Sequence, residues 1–414
     1  MNIVARPARV PRTMEAGELD PWVAAFADEL RSLGHTTLTV EGYTGCARHF
    51  AAWLAIDNIG LGVVSDESFS RFKTHRCRCG GYRPATPRSG KYLRRVHRFI
   101  DFLARRGVIT LLDKVVAAAV DPRVRDYQDW LTRNRGICGR TAARHGRMVT
   151  RLLLSLGTEP HAYDPARIKM AILQEAECCS APYVKTMTTA LRGYLRFLAS
   201  ADLCRPGLEH AVPLIPQWRL SSLPRYLSPD QVERLVASCD LHTGRGVRDR
   251  AILLLLARLG LRAGDILEMC LGDIDWSSAT LRVKGKGRRE TRLPMPQDAG
   301  DAVLGYLGGA RPLVDSNRLF LRSNAPFRPF ASSPTVSHIV AVALKRAGID
   351  DPPSHGANLL RHSAATHMLR GGATLQSVGA VLRHRSLNTT TVYAKVDLNM
   401  LMQVAQPWPR DVAC

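Results

Sequence analysis

Across the first two hundred residues, apolar side chains return three and four positions apart, in stretches separated by Gly, Pro or charged residues. That spacing lays them along one stripe of an α-helix. Residues 19–33 carry Trp22, Ala25, Phe26 and Leu30 on such a stripe. Residues 39–54 repeat it with Val40, Tyr43, Ala47, Phe50 and Leu54, and residues 92–103 with Val96, Phe99, Ile100 and Leu103. The next hundred residues read as a diverged copy. Gly34, Thr39 and Tyr43 have counterparts at Gly136, Thr141 and His145, each 102 residues on, and the ending at 99–103 resembles that at 194–198. Either a helical unit is repeated or two amphipathic helix pairs merely look alike.

From Cys204 to Tyr226 the pattern breaks, and Pro206, Pro213, Pro216 and Pro224 mark an extended linker. Beyond it Ser228, Pro229 and Gln231 form a helix start: N-cap, first-position proline and capping box. A mostly apolar helix over 248–259 ends at Gly260. Residues 279–294 alternate around a Gly-rich turn, which predicts a β-hairpin. Two more helices follow, 359–369 ended by Gly371 and Gly372, and 375–382. The expected fold is therefore mainly α with a small β-hairpin or sheet, an α+β arrangement. Its expected parts are an N-terminal helical unit over 1–115, a second over 116–205, a linker over 206–226 and a C-terminal domain over 227–414.

Charge narrows the partner. In 414 residues, 58 Lys and Arg against 36 Asp and Glu give a net charge of +22. Such an excess costs self-repulsion in a compact fold, and nucleic acid is the commonest reason to keep it. Both helical units carry basic residues off the apolar stripe: Arg48 and His49, then Arg140, Arg144, His145, Arg147 and Arg151. These faces are either simply solvated or laid along phosphates. No stretch approaches the roughly 18 apolar residues of a membrane span. The first residues lack the apolar run of a secretory signal, so the ten cysteines are expected to be reduced in a cytoplasmic protein. His75, Cys77 and Cys79 have ligand chemistry suited to zinc, but their one-residue gaps are tighter than the usual CxxC and no second pair follows. With Arg71, Lys73, Arg76, Arg78 and Arg83 around them, a basic loop without metal is expected.

The C-terminal part carries the chemistry. Arg262 directly follows the apolar helix, with Asp265 three residues on. This pair is either a core ion pair or an anion clamp aimed by the acid. The hairpin tip holds Lys284, Lys286, Arg288 and Arg289. Lys286 sits between two glycines, so the tip is either an ordinary basic turn or a close approach to a ligand backbone. Arg361 lies on the helix over 359–369, and His384 and Tyr393 stand nine residues apart across a Thr-rich turn.

Taken in order, these residues resemble the tyrosine recombinase (phage integrase-like) family, closest in feel to recombinases of mobile elements. GLRAGDILEM stands at the family's first Arg motif, VKGKGRRETRLPM looks like its hairpin Lys motif, LLRHSAATHML its second Arg motif and LRHRSLNTTTVYAKV its His-to-Tyr motif. Residues 224–407 carry this likeness; the helical unit before the linker resembles the family's core-binding domain more loosely. The first hundred residues would be a second such unit or an arm-type DNA-binding domain.

The resemblance implies a site-specific recombinase that cleaves and rejoins DNA through a 3′-phosphotyrosine, for integration, excision or transposition. Tyr393 would be the nucleophile, Arg262 and Arg361 the phosphate clamp, Lys286 the general acid and His384 a phosphate or proton partner, with Asp265 orienting Arg262. It implies no cofactor or metal, double-stranded DNA as partner, and a tetramer on two DNA sites, with related recombinases as further partners. The place of action would be the bacterial cytoplasm, on the nucleoid. DNA contacts are expected from Arg48, Arg140, Arg144, Arg147, Lys284, Arg288 and Arg289. One position departs: Asn358 stands where the family's second Arg motif usually begins with His. An amide can donate to a phosphate oxygen but cannot take up a proton, so proton removal from the tyrosine would fall to another group. Two alternatives stay open, an accessory DNA-binding subunit with impaired catalysis and a type IB topoisomerase-like enzyme. The tail after Tyr393, apolar on one side, would dock on a neighbouring subunit or pack on its own domain.

Overall fold

The computed structural model describes residues 16–61, 64, 66–75, 79, 89–109, 121–216, 223–284, 290–384, 386–396 and 401–402. The described residues are mostly helical, with one small antiparallel sheet. They divide into two compact units, one built mainly of residues 49–219 and the other of residues 18–48 together with those from 220 onward.

The first helices are α1 (Asp20–Ser32), α2 (Thr37–Ile56), α3 (Asp66–Thr74) and α4 (Gly90–Arg105). The expected stripes are buried in full on α4 (Val96, Phe99, Ile100 and Leu103) and in large part on α1 (Phe26 and Leu30) and α2 (Val40, Ala47, Phe50 and Leu54), while Trp22, Ala25 and Tyr43 are half-buried and Val23 and Trp53 join the core instead. His49 departs from expectation. Its sequence neighbours suggested a polar face, but it is buried at 1% exposure, edge-on to Phe72 and hydrogen-bonded to Tyr92. Arg48 is exposed.

The next four helices are α5 (Pro122–Arg135), α6 (Gly139–Leu156), α7 (Pro165–Cys178) and α8 (Ala181–Ser200). The starts of α5 and α6 follow those of α1 and α2 by the same 102 residues that separate the matching sequence positions. The intervening Gly34 and Gly136 both take positive φ, +82° and +59°, the conformation that ends a helix at low cost for glycine. This favours a repeated helix pair over chance likeness. Tyr127, Leu152, Leu191, Tyr194 and Leu195 are fully buried among α5, α6 and α8. Residues 206–212, expected as the start of the linker, belong to this core. Leu208 and Val212 are buried in it, and Arg192 donates to the Val212 and Pro213 carbonyls at 3.0 Å each. The prolines hid two apolar anchors.

The C-terminal part begins with α9 (Pro229–Ala237), whose capping box is formed as expected: Ser228 Oγ accepts from the Gln231 N–H and Gln231 Oε1 from the Ser228 N–H. Then come α10 (Gly244–Leu259), α11 (Ala263–Glu268), β1 (Ile274–Asp275), β2 (Thr280–Lys284), β3 (Glu290–Pro294), α12 (Gln297–Gly305), α13 (Ser333–Arg346), α14 (Asn358–Arg370) and α15 (Leu375–Val381). The strands pair antiparallel in the order β1-β2-β3, with Leu281 opposite Leu293 and Lys284 opposite Glu290. Helix α10 is buried on nearly every side; Leu253, Leu254, Leu255 and Leu256 are at most 1% exposed. Each such leucine contributes roughly 2 kcal/mol, which makes α10 a rigid post for the residues that follow it. The incoming chain is tied to α14: Leu227 N–H donates to Ser363 Oγ at 2.9 Å, and Arg370 donates to the Tyr226 hydroxyl at 2.6 Å.

Candidate active site

Four segments meet at one place: the turn after α10, the first half of α14, the end of α15, and a short 3-10 turn over Thr391–Val396. Gly260 ends α10 at φ +57°, and a Cβ there would lie 2.6 Å from a Leu382 methyl. Only glycine fits so close a crossing without displacing its neighbour. The chain then turns, and Arg262 enters the site.

Arg361 comes from α14 and is buried at 5% exposure. Its two terminal nitrogens donate to the Gly260 carbonyl and to the Leu382 carbonyl, each at 2.5 Å. The Leu382 carbonyl also receives a longer contact from Arg262 Nη2 at 3.4 Å, as does the Arg383 carbonyl. One backbone turn thus holds two guanidiniums together. Burial, reinforced by Arg262 and Arg383, lowers the pKa of Arg361 to about 10. Burial likewise lowers that of Arg262, against the pull of Asp265.

Asp265 works differently from expectation. Its Oδ2 accepts the backbone N–H of Arg262 at 2.7 Å and pairs with the guanidinium of Arg383. It therefore fixes the main chain of Arg262, and its charge goes to Arg383. Both partners of this ion pair are buried, at 6% and 8% side-chain exposure. Arg383 adopts φ +55°, and its Nε and Nη1 are buried without a hydrogen-bond partner. Three guanidiniums thus converge with one carboxylate, and the excess positive charge suits a phosphate.

Tyr393 is buried at 2% exposure, packed with Ala365, Leu369, Val378 and Leu382. Its hydroxyl lies 2.8 Å from His362 Nδ1. His384 stacks nearly parallel to its ring, 6.4 Å between centroids, and holds Thr390 Oγ1 through Nδ1 at 2.8 Å. Burial pushes the Tyr393 hydroxyl up, and Arg361 partly offsets this. Burial lowers His384 to about 4, with help from Arg361, Arg262 and His362. His362 is also lowered, by burial and then by Arg361. Both imidazoles are neutral at pH 7.

Arg262, Arg361, His384, Tyr393 and Asp265 are thus brought together. Asn358 is the first residue of α14, one turn before Arg361, and is exposed. Lys284 ends β2 and is exposed. Lys286, Arg288 and Arg289 lie outside the described residues. Arg140, Arg144 and Arg147 are exposed at the start and on the solvent side of α6. Sequence reasoning missed His362 and Arg383. Each is the immediate neighbour of an expected site residue, Arg361 or His384, and each lies inside one of the family-like motifs.

The model of the phage integrase family matches residues 225–400. A putative integrase/recombinase of Sinorhizobium fredii (strain NBRC 101917 / NGR234), y4rA, is 35% identical over 401 residues, covering 95% of each chain. The chain belongs to the phage integrase family of tyrosine recombinases. The tyrosine recombinase XerC of Pelotomaculum thermopropionicum is 32% identical to this recombinase over 263 residues, 60% of this chain and 84% of that one. XerH bound to a palindromic difH substrate, in a post-cleavage complex, matches 68% of this chain and 83% of its own at TM-score 0.55 and 17% identity. A lambda integrase (75–356) dimer bound to a COC′ core site matches 66% of this chain and 94% of its own at TM-score 0.53 and 17% identity. At those identities the structures share the fold. The recombinase is a DNA breaking-and-rejoining enzyme that works through a phosphotyrosine. No helix among its described residues is long and apolar enough to cross a membrane.

Proposed function

We propose that this chain recombines specific duplex DNA sites of a mobile element, with Tyr393 as nucleophile and His362 as the group that takes its proton. The contact between His362 Nδ1 and the Tyr393 hydroxyl, 2.8 Å, carries the second part. A neutral imidazole nitrogen at that distance can accept the proton as the hydroxyl attacks. This answers the loss of histidine at position 358, where Asn358 offers only an amide hydrogen to a phosphate oxygen.

In the reaction Tyr393 Oη attacks the scissile phosphorus and its proton passes to His362 Nδ1. The bond from phosphorus to the 5′-oxygen breaks, leaving a 3′-phosphotyrosine. Lys286 protonates the departing oxygen, giving a free 5′-hydroxyl. The 5′-hydroxyl of the partner strand reverses each step, so the phosphodiester energy is conserved. Arg262 and Arg361 hold the nonbridging oxygens, where charge grows in the pentacoordinate transition state. His384, with Nδ1 accepting from Thr390, donates from Nε2 to the same phosphate. Asp265 positions the turn that bears Arg262. Exposed Arg48, Arg140, Arg144, Arg147 and Lys284, with Arg288 and Arg289 of the hairpin tip, hold flanking phosphates.

The enzyme works on the nucleoid in the bacterial cytoplasm, as a tetramer of this chain, alone or with related recombinases, on two sites. A duplex from the DNA flanking its gene, nicked beside the cleavage point, tests this. Loss of the short 5′-hydroxyl fragment traps the covalent adduct. Adduct formation on one flank sequence and not on scrambled duplex supports site-specific recombination. Binding without an adduct would support a non-catalytic subunit, and relaxation of any plasmid would support topoisomerase-like activity.

A further inference from the structure

Within the unit of residues 49–219, three metal-ligating side chains converge. His49 from α2, His75 just after α3, and Cys79 place their donor atoms within 4.8 Å of one another. His49 and Cys79 are buried, at 1% and 4% exposure, and His75 is half-buried. Cys79 Sγ lies 3.8 Å from His75 Nε2. In a tetrahedral zinc site, with Zn–N about 2.0 Å and Zn–S about 2.3 Å, a nitrogen and a sulfur ligand stand about 3.5 Å apart. The observed spacing is close to that.

The far side of each imidazole is held as well. His75 Nδ1 lies 2.7 Å from the Phe72 carbonyl, so it carries the proton and Nε2 keeps its lone pair, directed toward Cys79. His49 Nδ1 lies 2.5 Å from the Tyr92 hydroxyl, which anchors that ring from one side. Metal-bound histidines are commonly anchored through the other nitrogen in this way, which fixes tautomer and ring direction. Aromatic rings wall the cluster: Phe72 packs on both imidazoles, and Trp53 on His75.

We propose that His49, His75 and Cys79 bind a zinc ion, with water in the fourth position. Cys77 lies outside the described residues and is not counted among the ligands. Two imidazoles and one thiolate select a borderline-soft divalent ion over magnesium or calcium, which prefer oxygen. The ion ties the chain after α3 to the middle of α2. Sequence reasoning read 75–79 as a metal-free basic loop because it saw one-residue gaps and no second pair; the missing ligand, His49, lies 26 residues before His75 and on another helix.

The full-length chain, stripped with chelator and titrated with Co(II), tests this. The expected result is one equivalent bound, with the visible absorption of tetrahedral cobalt and a thiolate charge-transfer band, both displaced by Zn(II). Cys79→Ser should lose the charge-transfer band, and Cys138→Ser, at an exposed cysteine, should keep it. Tyr92→Phe should weaken zinc binding about 10-fold. Should Cys79→Ser fail to fold, alkylation mapping on the wild-type chain decides instead. Zinc should protect Cys79 and leave Cys138 unchanged. Absence of a thiolate band in the wild type, its survival in Cys79→Ser, or alkylation of Cys79 indifferent to zinc would overturn the proposal.

Discussion

His362 Nδ1 stands 2.8 Å from the Tyr393 hydroxyl, and the two residues come from α14 and from the 3-10 turn 31 positions later. This contact places an imidazole nitrogen beside the hydroxyl of the proposed nucleophile, inside a buried pocket. If His362 takes the proton, His362→Gln should slow adduct formation on a nicked duplex by about 10²- to 10⁴-fold, the usual worth of a general base. DNA affinity should stay unchanged. Asn358→His should partly restore the rate in that background, because it returns an imidazole one turn before Arg361. Full activity in His362→Gln would remove the residue from the reaction.

The pH profile follows from the same burial. His362 is shifted down from 6.5, so its neutral, proton-accepting form dominates at and above that value. Arg361 is charged until the pH approaches about 10. The second-order rate of adduct formation, which reports the free enzyme, should therefore fall on the acid side only below pH 6.5 and on the alkaline side near pH 10. Stability has a matching sign. Buried neutral His362, His367 and His384 have folded values below their unfolded ones, so their contribution is complete above pH 6.5. It is lost as pH falls from there toward about 4, where His384 charges in the folded chain. Thermal melting at a series of pH values checks this; a melting temperature rising on acidification through that window would contradict it.

Asp265 and Arg383 form an ion pair with both side chains buried. Removing one partner leaves the other charge uncompensated, at a cost of about 3–5 kcal/mol. Asp265→Ala also frees the backbone N–H of Arg262. The variant, which leaves three arginines without a carboxylate, should melt well below the wild type and lose cleavage, whereas Arg383→Met leaves Asp265 facing the charges of Arg262 and Arg361 and should melt closer to it. Equal melting of Asp265→Ala and wild type would show that the pair does not hold the turn.

Much of this site was legible in the chain because its signals are local. Helical period marked α1, α2 and α4, and a mostly apolar run marked α10; Ser228 with Gln231 marked a helix start; and the order Arg262, Lys286, Arg361, His384, Tyr393, through its family resemblance, pointed to the proposed chemistry. What stayed hidden depends on long-range meeting of side chains. Nothing periodic tells that Asp265 spends its charge on Arg383, that the Leu382 carbonyl collects two arginines, or that His49 turns inward toward His75. His49 looked polar because its neighbour Arg48 is. Leu208 and Val212 were lost among prolines for a similar reason: two isolated apolar residues make no stripe.

The +22 charge should be visible in binding. Log affinity for duplex DNA should fall linearly with log salt, by about 0.9 per phosphate neutralised. Replacing Arg144 or Arg147, exposed on α6, by Ala should lower that slope by about 0.9 each if each meets a phosphate. Fluorescence anisotropy across a salt series measures it, and an unchanged slope would place those side chains off the DNA.

The covalent intermediate tests the account most directly. A nicked duplex carrying the target site, incubated with the recombinase and digested, should yield a single DNA-linked peptide by mass spectrometry, joined to the 3′-phosphate through Tyr393. Tyr393→Phe should form no adduct while binding the same DNA with unchanged affinity. An adduct mapped to any other residue, or one that persists in Tyr393→Phe, would contradict the assignment of this pocket as the site of strand cleavage.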